Sequence, residues 1–375
     1  MSDRLNATTH SAREAFVSRF GCDAEFIASA PGRVNLIGDH TDYNEGFAMP
    51  MPIDRHVVIA ASVAEDGLTT VHSASLNESA QLNTQDPLAH EPGWKRYVAG
   101  VFHLAQSRLG ECPPMRVHIE SRIPTGAGLS SSAAVAVGIV NLLEQRAGTE
   151  LSLLDKAKLC QRAEHEFAGV RCGIMDQIAI ASAKPGSAIL LDCRSLEFEH
   201  IQLDPSLAEV VIIDTGVSRT LAGSVYGDRR STCEQAAAAL GANSLRDVTR
   251  ASDLDSLNET QRKRASHVLA ENERTRGFAD AVRAGRYEEA GELMYQSHRS
   301  LRDDFEVSCE ELDCLVESAE RIGAEGGVLG CRMTGGGMGG CAVALVRAGQ
   351  SGEVIGRLQA DFSAKFGRSP RAFGA

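Results

Sequence analysis

The chain has 375 residues, of which 43% are hydrophobic and 23% are charged, and its formal net charge is -12 at pH 7. This length predicts two domains, each able to bury a core. The acidic balance excludes a general nucleic-acid binder or a binder of anionic membranes, which would need a basic face, although a few local cations are enough to hold an anionic small substrate.

Elements of an α+β protein follow one another in the first half of the chain. A buried strand is predicted at residues 57–63, and the period-two alternation at 115–123 predicts a half-buried strand. An Ala-rich, mostly apolar run predicts a buried helix at 133–143, and a further helix is predicted at 153–168.

A Lys-Pro-Gly turn at 184–186 is the predicted boundary between an N-terminal lobe, 1–184, and a C-terminal lobe, 185–375. The elements predicted for the second lobe are two strands, a largely helical stretch and a final strand after a glycine-rich turn: 188–192, 209–214, 233–321 and 341–346. The predicted fold class is therefore α+β with two lobes.

The segment 31–46, PGRVNLIGDHTDYNEG, concentrates charged side chains around a short apolar run. Arg33 precedes the run, and Asp39, His40 and Asp42 follow it. Carboxylates and imidazoles form directional hydrogen bonds of the kind that hold sugar hydroxyls. Because a charged surface loop with Asx turns has the same composition, this segment alone leaves both interpretations open.

The second segment of interest is a glycine-rich turn, PTGAGLSSSAA at 124–134, which joins the strand at 115–123 to the following helix. Gly126 and Gly128 let a ligand approach the backbone, and a helix N-terminus favours an anion. The turn has no P-loop Gly-Lys-Ser/Thr and no dinucleotide fingerprint. A helix cap needs one hydroxyl, so three consecutive serines favour a phosphate site over a simple cap.

One stripe of the helix predicted at 153–168 is apolar except for a carboxylate. Its members recur at spacings of four and three residues: Leu153, Ala157, Cys160, Glu164 and Phe167. A buried carboxylate needs cations or hydrogen-bond donors around it, so Glu164 is a candidate Mg²⁺ ligand. The alternative is a stripe bordered by solvent, with Glu164 only half buried.

Asp176 lies among apolar residues in the sequence CGIMDQ, 172–177, and is predicted to be withdrawn from bulk water. A helix cap is one interpretation of this residue. If it lies beside Arg33, the cation would favour its carboxylate form, which could orient an attacking hydroxyl and accept its proton.

A third glycine-rich segment, RMTGGGMGGC at 332–341, has five glycines between residues 335 and 340. So many glycines are too flexible for a packed core and suit a loop that folds tightly around a ligand. A plain flexible hairpin is the alternative.

In this order, the three segments resemble motifs of the GHMP small-molecule kinase family, and closely resemble those of its galactose-phosphorylating members. The segment 31–46 is similar to the family's sugar signature, 124–134 to its phosphate loop and 332–341 to its C-terminal glycine-rich motif. The stretches 164–177 and 214–234 fit as well. Five motifs in the family's order are a much stronger signal than any one of them.

The resemblance implies a ribosomal-protein-S5-like N-terminal lobe, a ferredoxin-like C-terminal lobe and an active site between them. It also implies ATP-dependent phosphorylation of galactose at the anomeric C1 hydroxyl, which gives α-galactose 1-phosphate. The implied cofactors are ATP and Mg²⁺.

The resemblance further implies a role for each matching residue. Asp176 matches the catalytic base or orienting group, and Arg33 matches the residue that stabilises charge in the transition state. The magnesium ligands are matched by Ser132 and Glu164. The triphosphate loop is matched by Gly126, Ala127, Gly128, Leu129, Ser130, Ser131 and Ser132. The sugar contacts are matched by Asp39, His40, Thr41, Asp42, Gly173 and Tyr226.

Asp39 departs from the family pattern, which usually has Glu at this position. Aspartate is one methylene shorter, so a contact with a sugar hydroxyl would weaken, pass through water or suit another sugar. A kinase for arabinose or an amino sugar is therefore one alternative. The other is a catalytically silent galactose sensor, which the intact Ser130, Glu164 and Asp176 disfavour.

The residues that follow the first Met contain no apolar core of a signal peptide, and no stretch approaches the roughly 20 apolar residues of a membrane span. The ten cysteines include no Cys-x-x-Cys pair, which predicts reduced thiols in the cytoplasm. The expected partners are a small sugar and MgATP, with neither nucleic acid nor membrane; the sequence does not indicate an oligomeric state.

Overall fold

The computed structural model describes residues 2–90, 93–217 and 222–375. Its mixture of helices and mainly antiparallel sheets confirms the α+β class. The chain groups into two compact units: unit 1 contains Met1–Arg33, Ile53–Pro124 and Ser130–Ala183, and unit 2 contains Val34–Pro52, Thr125–Leu129 and Lys184–Ala375. The single domain boundary after residue 184 stays a prediction.

The elements are numbered in chain order. The first part of the chain contains α1 (Asp3–Phe20), β1 (Phe26–Asn35), β2 (Phe47–Ala48), β3 (Pro50–Val63), β4 (Thr69–Ser73), β5 (Glu78–Leu82), α2 (Pro87–His90), α3 (Gly93–Leu109), β6 (Met115–Ser121), α4 (Ser131–Ala147), α5 (Leu153–Ala163) and α6 (Met175–Ala181). The second part contains β7 (Ser187–Asp192), β8 (Phe198–Gln202), β9 (Ala208–Asp214), α7 (Ala222–Ala239), α8 (Glu259–Arg283), α9 (Tyr287–Asp303), α10 (Glu310–Ile322), β10 (Val328–Met333), β11 (Cys341–Arg347), α11 (Ser351–Phe366) and β12 (Arg371–Gly374).

A five-stranded sheet in the order β1-β3-β6-β4-β5 forms the framework of unit 1. β6 pairs antiparallel with β3 and parallel with β4. The strand predicted at 115–123 is present as β6, but the prediction that it is half-buried is wrong, because five of its seven residues are buried. The reason is that β6 occupies the middle of the sheet and α1 packs against it.

The helix predicted at 153–168 changes its winding before it ends. Ser152 caps α5 by accepting the backbone N–H of Asp155. From Glu164 to Ala168 the backbone forms a π-helical turn, which the sequence does not indicate, and the turn ends at Gly169 in the left-handed region (φ 71°). Short π-turns inside helices often occur at functional sites.

Unit 2 contains a four-stranded antiparallel sheet in the order β10-β11-β9-β12. The chain passes from β9 through helices to the β10–β11 hairpin, then through α11 to β12. This is the ferredoxin-like topology expected from the sequence. A smaller antiparallel sheet, β2-β7-β8, also belongs to unit 2.

Two glycines allow α9 to pack directly on β10. A Cβ added to Gly291 would lie 1.9 Å from the carbonyl oxygen of Leu329, and one added to Gly330 would lie 2.3 Å from the Cα of Gly291. Only glycine fits at both positions, because the backbones themselves are in contact. None of the described helices has the length and apolar character that a membrane crossing requires.

Candidate active site

An ion pair in unit 1 joins Arg33, near the start of the sugar signature, to Asp176 of α6. Arg33 is 5% exposed, and its Nε and Nη2 each lie 2.7 Å from Oδ1 of Asp176. The other carboxylate oxygen, Oδ2, accepts a hydrogen bond from the hydroxyl of Ser130. Both oxygens of Asp176 are therefore held in fixed directions, and a quarter of the side chain stays exposed.

Glu164 lies at the junction of α5 and the π-turn and is 7% exposed, which confirms the burial predicted from the stripe. Ser132 donates to its Oε1 at 2.7 Å, while Gln177 and the thiol of Cys172 donate to its Oε2 at 2.7 and 3.0 Å. Burial raises the pKa of Glu164, and the Cys172 and Ser132 hydrogen bonds offset part of that effect. The three donors provide the polar surroundings that a buried carboxylate requires.

The glycine-rich turn at 124–134 leads into α4 as the sequence predicts. Gly126 and Gly128 have φ of 76° and 80°, in the left-handed region that favours glycine. Ser130 has φ 55° and directly precedes α4, so Ser131 and Ser132 lie in the first helical turn. Ala127 and Leu129 are 2% and 1% exposed and anchor the turn. This arrangement offers backbone N–H groups at a helix N-terminus to an anion.

The sugar-signature turn of unit 2 is held by its own side chains. The hydroxyl of Thr41 lies 2.8 Å from the carbonyl oxygen of Gly38 and 2.7 Å from that of Phe47, so this predicted sugar contact is engaged in the turn. Asn44 donates to the carbonyl oxygen of His40 at 2.8 Å. Asp42, half-buried, begins a short 3₁₀ turn.

His40 belongs to an aromatic cluster in unit 2. Its Nδ1 lies 2.8 Å from the hydroxyl of Tyr43, and its ring centroid lies 5.5 Å from that of Tyr226 and 4.7 Å from that of Phe305. The backbone of His40 is left-handed (φ 63°), which is uncommon for a residue with a side chain. The packing around the imidazole offsets this backbone cost. The structure therefore brings the predicted sugar contacts His40 and Tyr226 together.

Asp39 is 2% exposed, and both of its carboxylate oxygens face groups of unit 2. Oδ1 accepts the backbone N–H of Gly335 at 3.0 Å. Oδ2 lies 2.6 Å from Nη1 of Arg332, which is fully buried. Burial raises the pKa of Asp39, and the nearby Arg332 guanidinium opposes this effect.

A second buried carboxylate, Glu271 of α8, lies on the other side of Arg332. Its Oε1 accepts Ser297 Oγ–H at 2.6 Å and the Gly38 N–H at 3.0 Å, and its Oε2 accepts Arg274 Nε–H at 2.7 Å. Burial raises the pKa of Glu271, but Arg274, His267 and Arg332 outweigh it and bring the value to about 2. Glu271 therefore stays charged at neutral pH.

The sequence interpretation missed the partners Gln177, Cys172, Arg332 and Glu271. Gln177 directly follows Asp176, and Arg332 is the first residue of the third glycine-rich segment, so position in or beside a motif was the available signal. Glu271 lies in no motif. Part of the stretch at 214–234 that fits the family, residues 218–221, lies outside the described residues.

Ser132 and Glu164 offer a hydroxyl and a carboxylate, the hard oxygen ligands that Mg²⁺ prefers. In the described part of the chain, no group of three or more His, Cys, Asp or Glu side chains forms a metal cluster. Two protein oxygens nevertheless fit Mg²⁺, which usually takes its remaining ligands from phosphate and water. Gly173, a predicted sugar contact, is buried just before α6.

Three protein families match this chain. The GHMP kinases N terminal domain matches residues 96–184, the GHMP kinases C terminal family matches residues 278–364, and the galactokinase galactose-binding signature matches residues 14–63. The last match contains the segment 31–46 on which the sugar-site prediction rests.

Galactokinases from distant organisms are similar to the chain over nearly its whole length. The human galactokinase is 42% identical, and the match covers 97% of this chain and 95% of the human protein. The galactokinase of Thermotoga petrophila is 39% identical, over 90% of this chain and 94% of its own.

Solved structures give the same result. The galactokinase of Lactococcus lactis, complexed with galactose, is 32% identical and matches with a TM-score of 0.89 over 99% of this chain and 97% of its own. The mevalonate kinase of Methanococcus jannaschii, 19% identical, matches with a TM-score of 0.69 over 93% of this chain and 96% of its own, which shows a shared fold. The chain therefore belongs to the galactokinase family of GHMP kinases.

Proposed function

We propose that this protein transfers the terminal phosphoryl group of ATP to the C1 hydroxyl of galactose, giving α-galactose 1-phosphate and ADP. The observation that carries the proposal is the Arg33–Asp176 pair, two residues of the family's motifs, with both oxygens of the carboxylate held. The 42% identity to human galactokinase supports galactose as the substrate and does not favour a kinase for another sugar or a silent sensor.

Phosphoryl transfer requires mainly positioning and charge stabilisation from the protein. The O1 atom of the sugar attacks the γ-phosphorus, and the bond from that phosphorus to the β,γ-bridging oxygen breaks, so ADP leaves with the electron pair. Asp176 holds the attacking hydroxyl and receives its proton. Arg33 keeps Asp176 oriented and places positive charge near the transferring group.

The nucleotide phosphates are held in this proposal by residues 126–132 and the N-terminus of α4. Gly126 and Gly128 are left-handed, and a glycine backbone lets a ligand approach closely. The dipole of α4 favours the negative charge. Ser132 and Glu164 would hold Mg²⁺, which supplies charge neutralisation on the phosphate oxygens.

The proposed sugar-binding side chains of unit 2 match the family's sugar contacts. His40, Asp42 and Tyr226 supply groups that hydrogen-bond sugar hydroxyls or pack against the sugar carbons. The His40–Tyr43 hydrogen bond fixes the orientation of the imidazole, which supports a directional role. Thr41 maintains the turn that carries His40 and Asp42.

The proposed compartment is the cytoplasm, where ATP is available. All ten cysteines have free thiols, which agrees with a reducing environment. Burial raises the pKa of several of them, Cys160 and Cys331 among others, so these thiols are unreactive.

The test is ADP release by the purified protein with MgATP and a panel of sugars: galactose, 2-deoxygalactose, galactosamine, N-acetylgalactosamine, arabinose, glucose and mannose. We expect galactose to give the highest kcat/KM. A higher kcat/KM for arabinose or an amino sugar would support the same phosphoryl transfer with a different sugar as the substrate. Binding of galactose without turnover of any sugar would support the sensor and contradict the proposal.

A further inference from the structure

Asp39, which departs from the family pattern, has both carboxylate oxygens directed at protein groups of unit 2. Its Oδ1 accepts the Gly335 N–H at 3.0 Å. Its Oδ2 forms an ion pair with Arg332 Nη1 at 2.6 Å, while the hydrogen bonds of Nη1 go to the carbonyl oxygens of Asn35 and Leu36. The side chain is 3% exposed. A carboxylate that binds a substrate hydroxyl must direct a lone pair towards it, and both oxygens of Asp39 face groups of the protein.

Arg332 requires the charge of Asp39. The guanidinium is fully buried and cannot lose its proton, so it needs negative charge nearby. Its Nε donates to Ser297 Oγ at 3.1 Å, and Glu271 Oε1 lies 3.8 Å from its Nη2. The 2.6 Å contact with Asp39 is the shorter of its two ion pairs, and Glu271 is also paired with Arg274.

Asp39 and its neighbours also connect two segments that lie far apart in the chain. Asp39 and Gly335 are separated by 296 positions. Thr334 donates to the carbonyl oxygen of Asn35 at 2.8 Å and accepts the N–H of Asn35 at 3.2 Å. The glycine-rich turn, residues 334–340, is thus bonded to the signature segment at two consecutive residues.

Backbone geometry also constrains the glycine-rich turn at 334–340. Gly335 and Gly337 are left-handed, with φ of 80° and 79°. A Cβ added to Gly337 would lie 2.1 Å from the carbonyl oxygen of Val307. The turn is therefore held by backbone hydrogen bonds, such as that from Met338 N–H to the Val307 carbonyl oxygen at 2.7 Å, and by the bond from Gly335 N–H to Asp39.

We propose that Asp39 acts as a positioning residue, which fixes the glycine-rich turn through Gly335 and Arg332, and that it does not hydrogen-bond the sugar. This inference rests on the proposed function. It predicts that this kinase lacks the hydroxyl contact that the longer glutamate side chain would make. The protein should then discriminate weakly between galactose and the analogue without that hydroxyl.

The test measures kcat/KM of the wild type and of Asp39→Asn with sugars that each lack one hydroxyl, namely 2-, 3-, 4- and 6-deoxygalactose, and with galactose as the reference. Asparagine keeps an acceptor for Gly335 but removes the charge that faces Arg332. We expect kcat/KM to fall by about tenfold or more, by the same factor for every sugar. A direct contact would instead make the loss disappear with the one sugar that lacks the contacted hydroxyl, and this outcome would overturn the proposal.

Two further variants keep the inference testable if Asp39→Asn folds poorly. Asp39→Glu keeps the charge but adds a methylene, which displaces the carboxylate from its contacts with Gly335 and Arg332, so activity should fall equally for all sugars. A selective gain for galactose over one deoxy sugar would contradict positioning. Asp247→Asn is the matched control, because it removes a unit 2 carboxylate that pairs with Arg194 at 2.7 Å, and we expect it to leave all sugars unaffected.

A readout without turnover separates this inference from the proposed function. The thermal midpoints of Asp39→Asn, Arg332→Gln and the double variant form a cycle, in which the second substitution should cost less than it does alone. Additive effects would refute the pairing even if the protein phosphorylates galactose. If no sugar is phosphorylated, the same cycle and calorimetric binding of the deoxy sugars still decide the role of Asp39.

Discussion

Arg33 contacts Asp176 through two nitrogens, Nε and Nη2, and both lie 2.7 Å from the same oxygen, Oδ1. The second oxygen, Oδ2, is left to the hydroxyl of Ser130. The two carboxylate oxygens therefore have different environments. Oδ1 contacts the Arg33 cation, whereas Oδ2 accepts a hydrogen bond from the neutral Ser130 hydroxyl.

Asp176→Asn should reduce kcat by at least about 10²-fold, the lower end of the contribution of a positioned acid or base. The amide keeps the size of the side chain but cannot accept the C1 hydroxyl proton. We expect galactose binding to remain, which calorimetry with the variant measures. The control is Asp155→Asn, an exposed carboxylate of unit 1. Normal turnover by a folded Asp176→Asn protein would remove this residue from the mechanism.

Substitutions of Ser130 separate the contribution of its hydroxyl to kcat from that of its backbone conformation. Ser130 is left-handed (φ 55°), so alanine keeps the strain and glycine relieves it. Both substitutions remove the hydrogen bond to Asp176 Oδ2. We expect both to lower kcat by about tenfold, and the glycine variant to have the higher thermal midpoint. A loss of kcat in only one of the two variants would assign the effect to backbone conformation.

Gln177 is predicted to control the affinity for Mg²⁺ although it is not a proposed ligand. Its Nε2 donates to Glu164 Oε2 at 2.7 Å, and it is fully buried. Loss of a group that orients a metal ligand typically weakens metal binding about 10–100-fold. Gln177→Leu should raise the magnesium concentration for half-maximal activity by that factor, with a smaller change in kcat at saturating magnesium.

The control for this experiment is Gln235→Leu, which alters an exposed glutamine on α7. Glu164→Ala, which removes the proposed ligand itself, should raise the magnesium requirement at least as much. An unchanged magnesium titration in both Gln177→Leu and Glu164→Ala would give Glu164 a structural role.

The sequence was sufficient to predict the burial of Glu164 but not the groups that surround it. The spacing of the apolar stripe determines which face of the helix is buried, because that depends on local periodicity. Cys172 lies in the loop before α6 and Gln177 lies on α6. The π-turn and this loop bring both side chains to Glu164, and the geometry of these two segments depends on tertiary packing.

Motif resemblance gave the ferredoxin-like topology and the candidate residues, because these depend on the order of elements and on short motifs. It did not give the Asp39–Arg332 ion pair. That pair joins residues from opposite ends of the chain, and no local pattern indicates which cation a buried carboxylate will meet. The departure from glutamate at residue 39 was visible in the sequence, and its physical partner was visible only in the structure.

A buried histidine pair predicts how the stability of unit 1 depends on pH. His72 of β4 and His118 of β6 face each other in register, with their Nδ1 atoms 3.0 Å apart and their rings stacked. Burial, then His72 and Arg19, lower the pKa of His118 to about 4. Burial and Arg19 also lower the pKa of His72. The folded pair is therefore neutral at physiological pH, with one Nδ1–H donating to the other ring.

The sign of the effect follows from the difference in bound protons. In the unfolded chain histidine titrates near about 6.5, so between that pH and about 4 the unfolded state binds more protons than the folded state. The free energy of unfolding therefore decreases as the pH falls through this window. His118→Gln removes one of the titrating groups and should flatten the decline of the thermal midpoint between pH 7 and 4.5. His10→Gln, an exposed histidine on α1, should leave it unchanged. An identical decline in the wild type and in His118→Gln would show that the pair does not contribute to acid sensitivity.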